Sequence, residues 1–183
     1  VRTETPVCKF GAKAPDFSLP GTDSRTWTRD GCAGERGLLV MFICNHCPFV
    51  KAVLERIIRD TRELKTLGIG SVGIMSNDTL EFPEDSFENM QRVAEGKGFP
   101  FPYLLDESQH IARAYGAVCT PDYFGYNAEL GLQYRGRIDA SGMQAAPVNA
   151  KRELFEAMQQ VAETGAGPAT QIPSVGCSIK WRS

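Results

Sequence analysis

Six consecutive apolar residues, Leu38-Leu39-Val40-Met41-Phe42-Ile43, predict a central β-strand covered on both faces. The pattern then changes period. Val50, Val53, Leu54, Ile57, Ile58, Thr61 and Leu64 recur at helical spacing, with Lys51, Glu55, Arg56, Arg59, Arg62 and Glu63 on the opposite side. This is an amphipathic helix with one buried stripe. With Cys44 near the N-cap, Pro48 falls in the first turn, where its missing N–H costs little.

The flanking segments extend the pattern. Ala14 to Pro20 reads as a short extended stretch, and Thr26-Trp27-Thr28 as a strand able to pair beside it. Gly31 to Gly37 reads as a loop. Ile69 to Met75 predicts a second central strand, weakened by Gly70 and Gly73. A helix follows over 85–96, with Phe87, Met90, Val93 and Ala94 on one side, and a third strand over Phe101 to Leu105. Ser108 to Tyr115 predicts a short helix stopped by Gly116. Tyr123 to Asn127 and Leu132 to Ile138 flank Glu129-Leu130-Gly131, a hairpin signal. Lys151 to Thr164 predicts the last helix, and 165–183 an extended, loop-like tail. Alternating strands and helices, then a hairpin and a helix, fit a mixed sheet with helices on both faces.

Length and composition narrow the class. A chain of 183 residues is expected to form a single domain with one substantial core. An apolar fraction of 42% and a charged fraction of 23% are ordinary for globular proteins. A net charge of −2 gives no electrostatic case for nucleic acid or an acidic membrane surface. No apolar run approaches the ~20 residues that span a bilayer. Val1 to Pro6 lacks the apolar centre of a signal peptide. Cysteines at 8, 32, 44, 47, 119 and 177 are too sparse for a disulfide scaffold. The expectation is a cytoplasmic protein with reduced cysteines and one working pair; processed export stays open.

That pair is Cys44-Asn45-His46-Cys47, a C-x-x-C where the central strand gives way to the long helix. A helix N-terminus presents unpaired N–H groups and partial positive charge, both of which stabilise a thiolate. The thiolate is the nucleophile of thiol–disulfide exchange. Cys44 is expected to attack a partner disulfide, and Cys47 to close the internal bond. His46 adds to the field that lowers the thiol pKa.

The layout resembles the thioredoxin superfamily: strand, C-x-x-C, helix, strand, helix, then a cis-proline before a terminal hairpin and helix. Cys119-Thr120-Pro121 stands where that proline loop falls. The resemblance implies a cis-Pro121 packed on the redox pair and a Thr120 backbone that meets a bound polypeptide. It also implies a thioredoxin-like three-layer α/β/α mixed sheet, here with an N-terminal β-hairpin extension. Gly11-Ala12-Lys13-Ala14-Pro15-Asp16-Phe17-Ser18-Leu19-Pro20 is similar to the entry of peroxiredoxin and AhpC/TSA-type redoxin domains. The segments around Cys44 to Lys51, Ser76-Asn77-Asp78, Tyr134 to Asp139 and Gly176 to Trp181 resemble a peroxiredoxin-like subgroup. Such domains often dimerise, so a homodimer is among the expectations. The peroxidase pattern P-x-x-x-T-x-x-C is incomplete. With Cys47 as its cysteine, Val40 and Cys44 replace the proline and threonine.

Three function classes follow. The first is a thiol–disulfide oxidoreductase acting on a protein or small-molecule disulfide or dithiol, without a cofactor. The second is a thiol-dependent peroxide reductase. The third is a metal-binding or redox-sensing module using Cys44, His46 and Cys47 with Cys119 or Cys177; no second ligand pair completes a zinc set, so no metal is expected. Catalysis is assigned to Cys44 and Cys47, and tuning or partner contact to Asn45, His46, Pro48, Thr120 and Pro121. Cys119 and Cys177 are additional thiols: Cys119 reads as a small buried hydrophobe, and Cys177 either as a resolving thiol that reaches back or as a packed or merely exposed cysteine. Asn77 and Asp78 read as turn caps. Arg135 and Arg137 read as a solvated strand face, and His110 as structural.

Overall fold

A computed structural model describes all 183 residues. The central sheet has five strands: β4 (Gly37–Phe42), β5 (Ile69–Met75), β6 (Tyr103–Leu105), β8 (Asp122–Asn127) and β9 (Leu132–Tyr134), in the order β6-β5-β4-β8-β9. Strands β4, β5 and β6 run parallel, β8 runs antiparallel to β4, and β9 runs antiparallel to β8. Every residue of β4 is buried. Its alternation divides the core: Leu39, Met41 and Ile43 enter one apolar cluster, and Leu38, Val40 and Phe42 enter the other.

Helix α2 (Pro48–Thr66) covers the first face together with α3 (Phe87–Lys97) and α5 (Glu153–Thr164). All seven predicted stripe residues of α2 are buried. The other face packs against α4 (His110–Tyr115) and the hairpin of β2 (Ser18–Pro20) and β3 (Thr26–Thr28). The expected three-layer arrangement with its N-terminal hairpin is therefore present.

Several boundaries move. The 31–37 loop is shortened by α1 (Arg29–Cys32), a single turn capped by the Thr28 hydroxyl, which accepts from the Gly31 N–H at 3.0 Å. Gly70 does not weaken β5. A Cβ there would collide with the Cys32 carbonyl and the Gly34 backbone, so glycine permits the close approach of the 32–34 segment. The second hairpin strand ends at Tyr134 rather than Ile138. Arg135 is accordingly not on a solvated face. It is buried, it donates to Asp122 at 2.9 Å, and its guanidinium lies 4.3 Å from the Phe124 ring centre. Arg137 pairs with Glu153 at 3.0 Å.

The tail is the largest departure. Residues 165–174 lack regular structure, but Val175–Ser178 forms β10. It lies between β1 (Arg2–Glu4) and β7 (Cys119–Thr120) in a second, antiparallel sheet. This sheet brings the end of the chain to the C-x-x-C. No helix is long and apolar enough to cross a membrane.

Candidate functional site

Strand β4 delivers Cys44 to the carboxyl end of the sheet, and residues 43–47 bridge to α2. Cys47, not Cys44, is the N-cap, and Pro48 occupies the first helical position. The Cys47 carbonyl accepts the Val50 and Lys51 amides, both at 3.0 Å. All six cysteines are free thiols. Cys44 is 4% and Cys47 1% exposed, while Asn45 and His46 are half-buried at the rim.

The Thr120-Pro121 peptide is cis, as the resemblance implied. Thr120 brackets the pair: its hydroxyl lies 3.5 Å from Cys44 Sγ and its carbonyl 3.4 Å from Cys47 Sγ. On the far side of Thr120 runs β10, with Cys177 opposite Thr120 in register. Gly176 makes this possible, because a Cβ there would strike the Thr120 carbonyl. Cys177 is half-buried and packs against the cluster that contains Cys44 and Cys47, and its ionisation is linked to that of Cys47.

The loop after β5 forms the other wall. Asp85, fully buried, accepts from the Asn45 N–H at 2.8 Å and from Asn77 Nδ2 at 2.9 Å, and lies 2.6 Å from His46 Nδ1. The His46 ring stacks on Phe82 at 5.5 Å, with 7° between planes. The Tyr103 hydroxyl donates to Asn45 Oδ1 at 2.8 Å. Asn77 accepts from the Lys180 N–H at 2.8 Å, tying this wall to the chain's last residues. Asp78 caps the Leu80 N–H, as expected, whereas Asn77 is a positioning residue for Asp85. Asp85, Phe82 and Tyr103 were not foreseen as parts of the site. In sequence Asp85 is only an acidic residue near a helix start, and its 40-residue separation from Asn45 leaves no local signal.

These contacts divide the two sulfurs. Donation from the Cys44 thiol holds Cys47 down at about 4, with further donors in Thr120, Cys177 and the Val50 amide outweighing burial. Cys44 is pushed up, because it holds that shared proton, is buried, and faces the Asp85 carboxylate. The first proton to leave therefore leaves its charge on Cys47, at the positive end of a 19-residue helix. Cys119 is fully buried, its thiol 3.6 Å from the Pro121 carbonyl, and burial pushes its pKa up. Burial likewise raises Cys8 to about 11 and Cys32 to about 12. His110 is exposed at the start of α4, away from the site.

Cys44, His46 and Asp85 place one ligand-type atom each within 4.8 Å of one another. The carboxylate accepts from Asn45 and Asn77 and lies against His46 Nδ1, which ties the 44–47 loop to the Asp85 wall. Beside the cis-proline, a cleft of about 470 Å³ is lined by Phe49, Val53, Pro121, Tyr123, Met143 and Val175, among others. The buried Tyr123 hydroxyl at its wall has no hydrogen-bond partner.

Known proteins agree with this architecture. An uncharacterized conserved protein from Geobacillus kaustophilus is 39% identical; the match covers 100% of this chain and 97% of that one, with a TM-score of 0.93. A hypothetical protein from Sinorhizobium meliloti 1021 is 37% identical, with 99% of each chain covered and a TM-score of 0.89. The fold is shared with a thiol:disulfide interchange protein, thioredoxin family protein, from Chlorobium tepidum TLS. That pair is 16% identical over 84% of this chain and 94% of the other, with a TM-score of 0.60. No curated protein matches. The AhpC/TSA family model matches residues 10–141, which hold the C-x-x-C, the Asp85 wall and the cis-proline, and the chain belongs to the AhpC/TSA family.

Proposed function

We propose that the protein is a thiol–disulfide oxidoreductase in which Cys44 and Cys47 alternate between dithiol and disulfide. The observation that carries this reading is the placement of the C-x-x-C: Cys47 at the N-cap of a 19-residue helix, with both sulfurs bracketed by Thr120 beside cis-Pro121. In the reduced form Cys47 carries the charge, a reversal of the order expected from sequence. Cys47 attacks a disulfide sulfur, the partner's second sulfur leaves as thiolate, and Cys44 then displaces the partner from Cys47. The products are the Cys44–Cys47 disulfide and a reduced partner. His46 and Asp85 hold the 44–47 loop in place, and the cleft beside Pro121 and Phe49 supports the apolar flank of the partner.

The thiolate on a sulfur only 1% exposed favours one further reading, in which a hydroperoxide is the acceptor. Cys47 takes the terminal oxygen, an alcohol or water leaves, and Cys44 converts the sulfenic acid to the disulfide with loss of water. Val40 and Cys44 in place of the pattern's proline and threonine weigh against it.

The test has two arms: insulin reduction driven by dithiothreitol, and hydroperoxide consumption with the same reductant. Disulfide exchange predicts turnover in the first arm that Cys44→Ser and Cys47→Ser each abolish. Turnover in the second arm alone transfers the assignment to peroxide reduction, and activity that survives both substitutions refutes both readings.

A further inference from the structure

The proposed redox pair presents an access problem. Cys44 and Cys47 are 4% and 1% exposed, and the cis-proline loop and the Asp85 wall close over them. A bulky reductant has little sulfur to attack. Cys177 differs in each relevant respect. It is half-buried rather than buried, it lies on a three-stranded sheet outside the central core, and it packs on the same cluster as the pair. Its register opposite Thr120 places it across the residue whose hydroxyl and carbonyl contact both sulfurs. Val175, two residues earlier and so on the same face of β10, lines the cleft beside Pro121. The other cysteines offer no such route: Cys119 is sealed, and Cys8 and Cys32 pack in or against the opposite apolar cluster.

We propose that Cys177 is a third redox-active thiol that relays the disulfide between the buried pair and an external dithiol. This rests on the oxidoreductase reading above. In the oxidised protein, Cys177 loses its proton to solvent and attacks Cys47 Sγ. The Cys44–Cys47 bond breaks, the Cys47–Cys177 bond forms, and Cys44 leaves as thiolate and takes up a proton. The step is an isomerisation, with one disulfide lost and one gained, and it needs no outside oxidant. An external dithiol then attacks the more exposed sulfur, Cys177, and Cys47 leaves as its preferred thiolate. The second thiol of the reductant releases Cys177, leaving three reduced cysteines and one oxidised dithiol. The low proton affinity of Cys47 suits it as leaving group in this step, and protonation of the Cys44 thiolate after it has left draws the first step forward.

The experiment combines disulfide mapping with reduction kinetics on the full chain. Protein oxidised with diamide, acid-quenched and digested without reductant should give both the 44–47 and the 47–177 linked peptides. Oxidised Cys44→Ser should give the 47–177 bond alone. Oxidised Cys177→Ser should keep the 44–47 bond and be reduced by dithiothreitol about tenfold more slowly than the unmodified chain. Equal reduction rates, or a Cys44→Ser protein with no 47–177 bond, overturn the relay and leave the Cys44–Cys47 cycle intact. Absence of a 44–47 bond from both the unmodified chain and Cys177→Ser refutes the oxidoreductase reading itself.

Discussion

Cys47 and Cys119 form a controlled comparison within one molecule. Both are buried, at 1% and 0% exposed, and both lie against the Thr120-Pro121 segment. Their proton affinities nevertheless move in opposite directions. Burial raises both, so the desolvation common to them does not explain the difference. Cys47 meets the Cys44 thiol, the Thr120 hydroxyl, the Cys177 thiol and the Val50 amide, which together outweigh the Thr120 carbonyl 3.4 Å away. The Cys119 thiol meets the Pro121 carbonyl, an acceptor, and the Asp122 carboxylate adds repulsion. A buried sulfur becomes a thiolate where donors outweigh the acceptors around it, and stays a small hydrophobe where no donor reaches it.

The largest expected effect separates the two directly. Cys47→Ala should lower insulin-reduction turnover by at least about 100-fold, as loss of a nucleophile does, while Cys119→Ala stays within about twofold. Turnover equally sensitive to both would remove the distinction.

The second prediction is a pH signature. Thiolate absorbance at 240 nm should show one sulfur ionising near pH 4 in the reduced protein, a step absent from Cys47→Ala. Between about 4 and the ordinary thiol value of 9.0, unfolded Cys47 binds a proton that folded Cys47 does not. The unfolded state therefore binds more protons, and reduced-state stability rises with pH across that window. Urea midpoints at pH 5 and pH 8 should show this rise in the unmodified protein and a smaller one in Cys47→Ala. Cys119, whose value is raised, acts only above pH 9, where the unfolded thiol ionises before the folded one and stability falls with pH.

A third prediction concerns the wall facing Cys44. The Asp85 carboxylate disfavours charge on that sulfur. Asp85→Asn should stabilise the reduced pair and raise its reduction potential by about 10–30 mV. His46→Ala removes the partner of that carboxylate, leaves its charge facing Cys44, and should lower the potential by a similar amount. Glutathione titrations check both, and shifts of the same sign would contradict the opposing roles. The smallest effect is structural: Cys119→Ala should cost about 1 kcal/mol of stability, read from the urea midpoint, through a small cavity.

The sequence makes the scaffold legible because its signals are periodic. Residues 38–43 are buried on both faces, the α2 stripe matches residue for residue, and β5 spans Ile69–Met75 as expected. The C-x-x-C and the cis-proline are short-range features and can be read as such. What the sequence hides depends on distant pairings. Asp85 reaches Asn45 across 40 positions. Lys180 meets Asn77 across 103. Arg135 looks like a surface cation until Asp122 is placed beside it. The thiolate is proposed on Cys47 rather than Cys44 for a related reason. The helix begins three residues later than the cysteine spacing implies, so Cys47 becomes the cap. The tail reads as a loop because β10 is only four residues long and gains its order from β1 and β7.

Strand β1 has one further consequence. Its three residues pair with Cys177, Gly176 and Val175, and the Val1 carbonyl accepts the Ser178 amide at 2.8 Å. The sulfur farthest along the chain is thus anchored by the first few residues of that same chain. Peeling them away would fray the strand that presents Cys177, so amide hydrogen exchange at Cys177 and Ser178 should quicken when residues 1–4 are deleted, while exchange in α2 stays slow.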